Sequence, residues 1–282
     1  MSKIVIFGAG NIGRSLIGQL FSQAGYEVVF IDVLRWLVDA LNKEKKYCIE
    51  VRDVNPKIIW VENVRAIHAA DIEKASLEVA TADIAATAVG PNNLESAYPI
   101  LAKGLIERLR LGRGPLDIII CENIRNSSQI FRNGLSKHLP KDYPLESMVG
   151  LVETSIGKMV PIMTEEQKKR DPLLLFAEAY NKIIVDKRAF KLGAPKIEGI
   201  EPKDNMAAYV DRKLFVHNMG HAATAYLGYI TDPEMKYIWQ AIENEHIRSA
   251  VQRAMWESGE SLIREYPGEF SKQNMKEYIE DL

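Results

Sequence analysis

The chain has 282 residues, 47% apolar and 26% charged, the balance of a folded protein with room for one large domain or two ordinary ones. Its 36 basic and 38 acidic residues leave a net charge of −2, which gives no electrostatic basis for binding nucleic acid or an anionic membrane. Cys48 and Cys121 form no CxxC pair, and no apolar run is long enough for a signal-peptide core or a membrane span, so a cytoplasmic location without a disulfide framework is expected.

The first thirty-two residues carry the clearest pattern. KIVIF (3–7) is a continuous branched-apolar run, as expected of a strand covered on both faces. GAGNIG follows, with Gly8, Gly10 and Gly13 in GxGxxG spacing, and then a helical pattern in which Ile12, Leu16, Leu20 and Phe21 share a face. Gly25 ends that helix, and YEVVFID (26–32) reads as a second strand closing on Asp32. Gly8 suits the tight turn out of the strand, Gly10 lets a pyrophosphate approach the backbone, and Gly13 lets helix and sheet pack closely. Ala9, Asn11 and Ile12 fill the same turn, where the helix N-terminus offers N–H groups to phosphates. Asp32 can accept both hydroxyls of an adenosine ribose and would repel a 2′-phosphate, so NAD is expected over NADP, although Arg35 lies close by.

Strands and helices then alternate. YCIEVR (47–52), KIIWVE (57–62) and VRAIH (64–68) read as short strands of an antiparallel excursion. DIAATAV (83–89) is a buried strand closed by Gly90-Pro91, with a helix over 92–110. PLDIIICEN (115–123), a helix near 126–138 and MVGLVET (148–154) continue the series. This is the signature of a doubly wound α/β sheet of Rossmann type, whose ligands sit beyond the carboxyl ends of the strands. GAGNIG, TAVGP (87–91) and CENIRN (121–126) lie at those ends and offer Thr87, Val89, Gly90 and Asn123, the last equally readable as a turn or helix-cap residue.

After 155 the pattern changes. PIMTEEQKKRDP (161–172) reads as an exposed loop, LLLFAEAYNKI as helical, IIVDK (183–187) as a last strand and APKIEGIEPKD (194–204) as a crossover. The expected division is 1–198 for the nucleotide domain and 199–282 for a mainly helical domain, in which Ile238, Ile242, Ile247, Val251 and Met255 form a packing stripe. In that second part, KLFVHNMGH places Lys213, His217 and His221 at i, i+4 and i+8, with Asn218 three residues before His221. Two histidines four apart could hold a metal, but the stretch has no HExxH and no evident carboxylate partner, so none is expected. Tyr209 and Lys213 also form a YxxxK pair, as in short-chain dehydrogenases. The glycine spacing differs from theirs and no serine stands upstream at 196–198, so Tyr209 is expected to pack rather than react.

Lys213-x4-Asn218-x2-His221 resembles the signature of the polyol-specific long-chain dehydrogenases. GAGNIGR, TAVGP, CEN at 121–123, DN at 204–205 and RKLF…N.GHA.TAYLG at 212–228 are similar to the branch that interconverts mannitol 1-phosphate and fructose 6-phosphate. The resemblance runs along essentially the whole chain. It implies a Rossmann domain and a helical domain with the active site between them, a metal-independent NAD reaction and a small polyol or ketose phosphate as substrate. It also implies Lys213 as general base, Asn123 and Asn218 on the substrate oxygen, and His221 orienting the substrate. Arg212, then Lys158, are the candidates for the substrate phosphate.

Gly157-Lys158-Met159-Val160-Pro161 departs from the Asp-Arg-Ile pattern usual in the family, and family members usually continue through several further helices. A hexuronate or free-ketose reductase is the alternative within the family. A nucleotide-binding protein without turnover is the alternative outside it. The sequence leaves the oligomeric state open.

Overall fold

A computed structural model describes residues 1–52, 55–161, 163–164, 166–167 and 171–282. The loop expected over 161–172 lies partly outside these residues. The chain divides into two compact units, Met1–Asp204 and Asn205–Leu282. This division falls six residues beyond the expected 198/199, because Ile200–Lys203 forms a strand of the first unit's sheet.

The first unit is built on strands β1 (Lys3–Phe7), β2 (Glu27–Asp32), β5 (Val64–His68), β6 (Ile84–Thr87), β7 (Leu116–Ile120), β8 (Val149–Ser155), β10 (Ile183–Asp186) and β11 (Ile200–Lys203). Their spatial order is β11-β10-β8-β7-β6-β1-β2-β5. All neighbours are parallel except β8 and β10. The two-residue period of a strand explains the continuous apolar runs. Ile4, Ile6, Val28 and Phe30 enter one core, and Val5, Phe7, Val29 and Ile31 the other. All eight are at most 2% exposed, and each such burial contributes about 1.5–3 kcal/mol.

Helix α1, a π-helical Gly13–Gly18 continued by the α-helical Gln19–Gln23, covers the first face beside α2 (Arg35–Glu44). Helices α3 (Ile72–Thr81), α4 (Leu94–Arg110) and α5 (Ser127–Ser136) follow β5, β6 and β7, and a single turn, α6 (Leu145–Met148), precedes β8. β3 (Lys46–Val51) and β4 (Lys57–Glu62) form the expected antiparallel hairpin, but β5 leaves it to pair with β2. The segment expected to be helical at 173–183 contains β9 (Leu175–Ala177), parallel to β3. Leu173 through Ala177 are all buried, and pairing with β3 draws Leu175–Ala177 into the extended conformation.

The second unit is helical: α7 (Met206–Arg212), a π-helical Lys213–Asn218, α8 (Met219–Thr231), α9 (Ile238–Glu243), α10 (Glu245–Glu265) and α11 (Lys272–Asp281). Asn244 caps α10 by accepting from the His246 and Ile247 N–H groups, and Ser271 with Asn274 forms a capping box on α11. Ile247, Val251 and Met255 are buried as expected, whereas Ile238, on the separate helix α9, is exposed.

Candidate functional site

The nucleotide-binding features converge at the carboxyl ends of β1, β2, β6 and β7. Gly8 leaves β1 at φ +93°, and a Cβ there would collide with the Ala88 carbonyl oxygen of the next strand's loop. A Cβ on Gly13 would strike the Gly8 carbonyl, so helix and turn pack as closely as the spacing implied. Gly10 is exposed and meets nothing within 4 Å, which leaves open space where a pyrophosphate needs it. Asn11 is exposed and Ile12 half-buried beside it, while Ala9 is fully buried.

Asp32 ends β2 half-buried, and its carboxylate accepts from the Ala9 N–H at 2.7 Å and the Leu34 N–H at 2.9 Å. It therefore ties the glycine turn to the loop after β2. Each carboxylate oxygen keeps a lone-pair site for a ribose hydroxyl. These residues fit a dinucleotide.

The loop after β6 completes this edge. Thr87 is buried, Val89 and Gly90 are half-buried, and Gly90 has φ +84°. The fixing residue is one the sequence reading passed over. Glu122, buried just past β7, accepts from the Val89 N–H at 3.0 Å and the Gly90 N–H at 2.8 Å. Burial raises its carboxyl above the ordinary glutamate value, partly offset by those two N–H bonds. Its position beside Asn123 is the available signal: a carboxylate just past the end of a buried strand must be bonded to something. Asn123 itself is exposed.

In the second unit, Lys213, His217 and Asn218 lie in the π-helical stretch, with His221 in the first turn of α8. The π geometry changes the expected stripe. In an α-helix, residues five apart diverge by about 140°. An i→i+5 turn widens the helix so that positions four and five apart share a face. Lys213 is thus brought into line with both His217 and Asn218.

A backbone carbonyl within the wide turn takes a bond from outside the helix. The Phe215 carbonyl accepts from the Ser258 hydroxyl of α10 at 2.7 Å. The π-helical start of α1 is served in the same way, its Arg14 carbonyl accepting from the buried Tyr47 hydroxyl at 2.7 Å. Gly220 lets α10 come close, since a Cβ there would lie 2.7 Å from the Met255 sulfur.

Lys213 is half-buried, and burial lowers its pKa below the ordinary lysine value. His217 is pushed down to about 4 by burial first and then by His221 and Lys213, so its ring is neutral. The His217 and His221 rings meet edge to face at 4.6 Å. Among the described residues no three His, Cys, Asp or Glu side chains cluster as metal ligands.

Neither candidate for the substrate phosphate is a free cation. The Arg212 guanidinium lies over the rings of Tyr278, Tyr209 and Phe270 at 4.1, 5.1 and 5.3 Å, and its buried Nε has no hydrogen-bond partner. Tyr209 is buried against Phe270. Lys158 is buried in the first unit, bonded to the Tyr180 carbonyl at 2.7 Å, the Asn181 Oδ1 at 3.3 Å and the Glu178 carbonyl at 3.4 Å.

Residues 2–199 match the mannitol dehydrogenase Rossmann domain, and residues 205–282 match the mannitol dehydrogenase C-terminal domain. The chain is 36% identical over 280 residues to a mannitol-1-phosphate 5-dehydrogenase of Brevibacillus brevis, covering 99% of this chain and 70% of that protein. Its fold is similar to a substrate-free D-sorbitol dehydrogenase (TM-score 0.83, 16% identity, 99% of this chain and 68% of that one). It is also similar to Pseudomonas fluorescens mannitol 2-dehydrogenase, solved as a ternary complex with NAD and D-mannitol (TM-score 0.77, 13% identity, 99% and 68%). Among the described residues no helix is long and apolar enough to cross a membrane.

Proposed function

The chain belongs to the mannitol dehydrogenase family and is an NAD-dependent polyol dehydrogenase; we propose that it interconverts mannitol 1-phosphate and fructose 6-phosphate, with Lys213 as general acid and base and no metal. The observation that supports this chemistry is the π-helical stretch Lys213–Asn218, whose i→i+5 turn puts Lys213 and Asn218 on one face, with His221 three residues further along the chain. The substrate assignment draws on the 36% identity to the Brevibacillus brevis enzyme.

NAD supplies the hydride acceptor when bound. Gly8, Ala9, Gly10, Asn11, Ile12 and Gly13 form its phosphate turn, Asp32 takes the ribose hydroxyls, and Thr87, Val89 and Gly90 line the next loop. Lys213 removes the proton from the hydroxyl on the carbon being oxidised. Burial supports this role, because it raises the fraction of neutral amine near physiological pH. Asn218 and Asn123 donate amide N–H groups to the developing alkoxide, where preformed donors lower the barrier most. His221 orients the substrate hydroxyls. In the reverse direction the Lys213 ammonium returns the proton to the ketose oxygen.

The test is NADH oxidation with a panel of fructose 6-phosphate, fructose and fructuronate. The proposal requires a large kcat/KM preference for the phosphate ester. Equal rates with fructose or fructuronate would move the substrate to another branch of the family, and no turnover with any of them would leave a nucleotide-binding protein.

A further inference from the structure

A cavity of ≈ 770 Å³ opens in the first unit beside the last turn of α1; of the candidate site residues named above only Lys158 lines it, and none of those assigned to NAD or to proton transfer does. Its wall brings together side chains distant in sequence: Gln19 from α1, Lys57 from β4, Lys158 from the turn after β8, and Asn181, Lys182 and Lys196 from the segments leading into β10 and β11. Four ammonium groups face two carboxylates, those of Glu178 and Glu198. Lys158 is fixed at the wall by its three oxygen acceptors, and Lys182 pairs with Glu201 at 2.9 Å. Lys57 and Lys196 are exposed and make no ion pair among the described residues.

A second observation points to a ligand. Gln19 is 3% exposed, and its Oε1 has no hydrogen-bond partner. A buried amide oxygen is normally bonded, and leaving it bare is costly. The last torsion of glutamine is broad, so a small rotation offers the amide to a group in the cavity. A hydroxyl donor would satisfy it.

We propose that this cavity is a binding site, separate from the catalytic residues, for a small phosphorylated sugar or polyol. The hydroxyls would meet Gln19 and Asn181, and the phosphate would lie between Lys57 and Lys196. The size suits such a molecule. The choice of phosphate over carboxylate follows from the cations present. Its four lysines act as point charges toward phosphate, and set against two glutamates they leave a positive excess that suits the nearly double charge of a phosphate ester better than a single carboxylate.

The test is isothermal titration of the full chain with glucose 6-phosphate, inorganic phosphate, glucose and citrate at constant ionic strength. It is run on the parent, on the double variant Lys57→Glu/Lys196→Glu and on Gln19→Leu. The parent should bind glucose 6-phosphate more tightly than phosphate or glucose. The double variant changes only exposed residues, so it should fold normally. Its Kd for glucose 6-phosphate should rise by about tenfold or more, the equivalent of one lost charge-assisted hydrogen bond, with KM for fructose 6-phosphate unchanged. Gln19→Leu should narrow the gap between glucose 6-phosphate and inorganic phosphate.

No binding by the parent, or binding undiminished in the double variant, overturns the site, the latter because the ligand then lies elsewhere. Citrate binding more tightly than glucose 6-phosphate overturns the phosphate-ester assignment.

Discussion

Replacing Glu122 with glutamine isolates how the loop after β6 is held. The parent carboxylate accepts two backbone N–H groups, from Val89 and Gly90. Glutamine has the same size but a single acceptor oxygen, so its NH2 group would face the second N–H, donor against donor. A hydrogen bond to a charged group contributes about 1.5–3 kcal/mol, and that is the holding energy at stake. Each 1.4 kcal/mol is a factor of ten, so the NADH Kd should rise about ten- to a hundredfold if NAD requires the loop where Glu122 keeps it.

NADH fluorescence titration measures this directly, and kcat at saturating NADH should stay close to the parent's. The pH dependence has a definite sign. Burial raises the Glu122 carboxyl above the ordinary glutamate value, so it takes up a proton at milder acidity than an exposed glutamate and then loses an acceptor. NADH binding by the parent should weaken as pH falls through that range, while Glu122→Gln should show no such step. A variant that folds normally and binds NADH as the parent does would refute the reasoning.

Asp32→Ala should narrow the preference for NAD over NADP by about 1.5–3 kcal/mol, read from the ratio of kcat/KM values for the two cofactors; equal efficiency in the parent would remove the ribose role. Ser258→Ala strips the hydroxyl from the Phe215 carbonyl, and should cost about 1 kcal/mol of stability and reduce turnover while NADH affinity stays constant. Arg212→Ala should lower the melting temperature, because a guanidinium among three rings contributes on the order of 2 kcal/mol, and should leave KM for fructose 6-phosphate nearly unchanged. A raised KM without loss of stability would return Arg212 to the substrate.

The nucleotide half of the molecule was legible because its signals are local. The glycine spacing, the apolar runs of β1 and β2 and the carboxylate at Asp32 each constrain the backbone within a few residues. What the sequence hid depends on partners far along the chain. LLLFAEAY has good helix formers, so the segment that contains β9 reads as helix. Pairing with β3, which lies well over a hundred residues earlier, overrides that propensity. β11 hides in a Pro- and Gly-rich stretch, whose composition is overridden by pairing with the neighbouring β10. The π-helical turns are invisible to a 3.6-residue period, and each is accompanied by a remote hydroxyl, Tyr47 or Ser258, on a carbonyl within it. The charge of Arg212 is visible in the sequence, whereas the rings of Phe270 and Tyr278 that surround it belong to later segments.

Lys213 as the acid–base group, acting on a polyol phosphate with NAD, is the assignment on which the proposed reaction rests. The most direct measurement is the pH profile of mannitol 1-phosphate oxidation by the parent and by Lys213→Ala, with NADH binding measured alongside. Burial lowers the Lys213 pKa, and the neutral amine is the base, so kcat/KM for oxidation should fall as pH drops through that lowered pKa. Fructose 6-phosphate reduction, which needs the ammonium, should show the opposite trend. Lys213→Ala should lose turnover in both directions while binding NADH as the parent does. A Lys213→Ala variant that keeps turnover and the parent's pH profile would contradict the account.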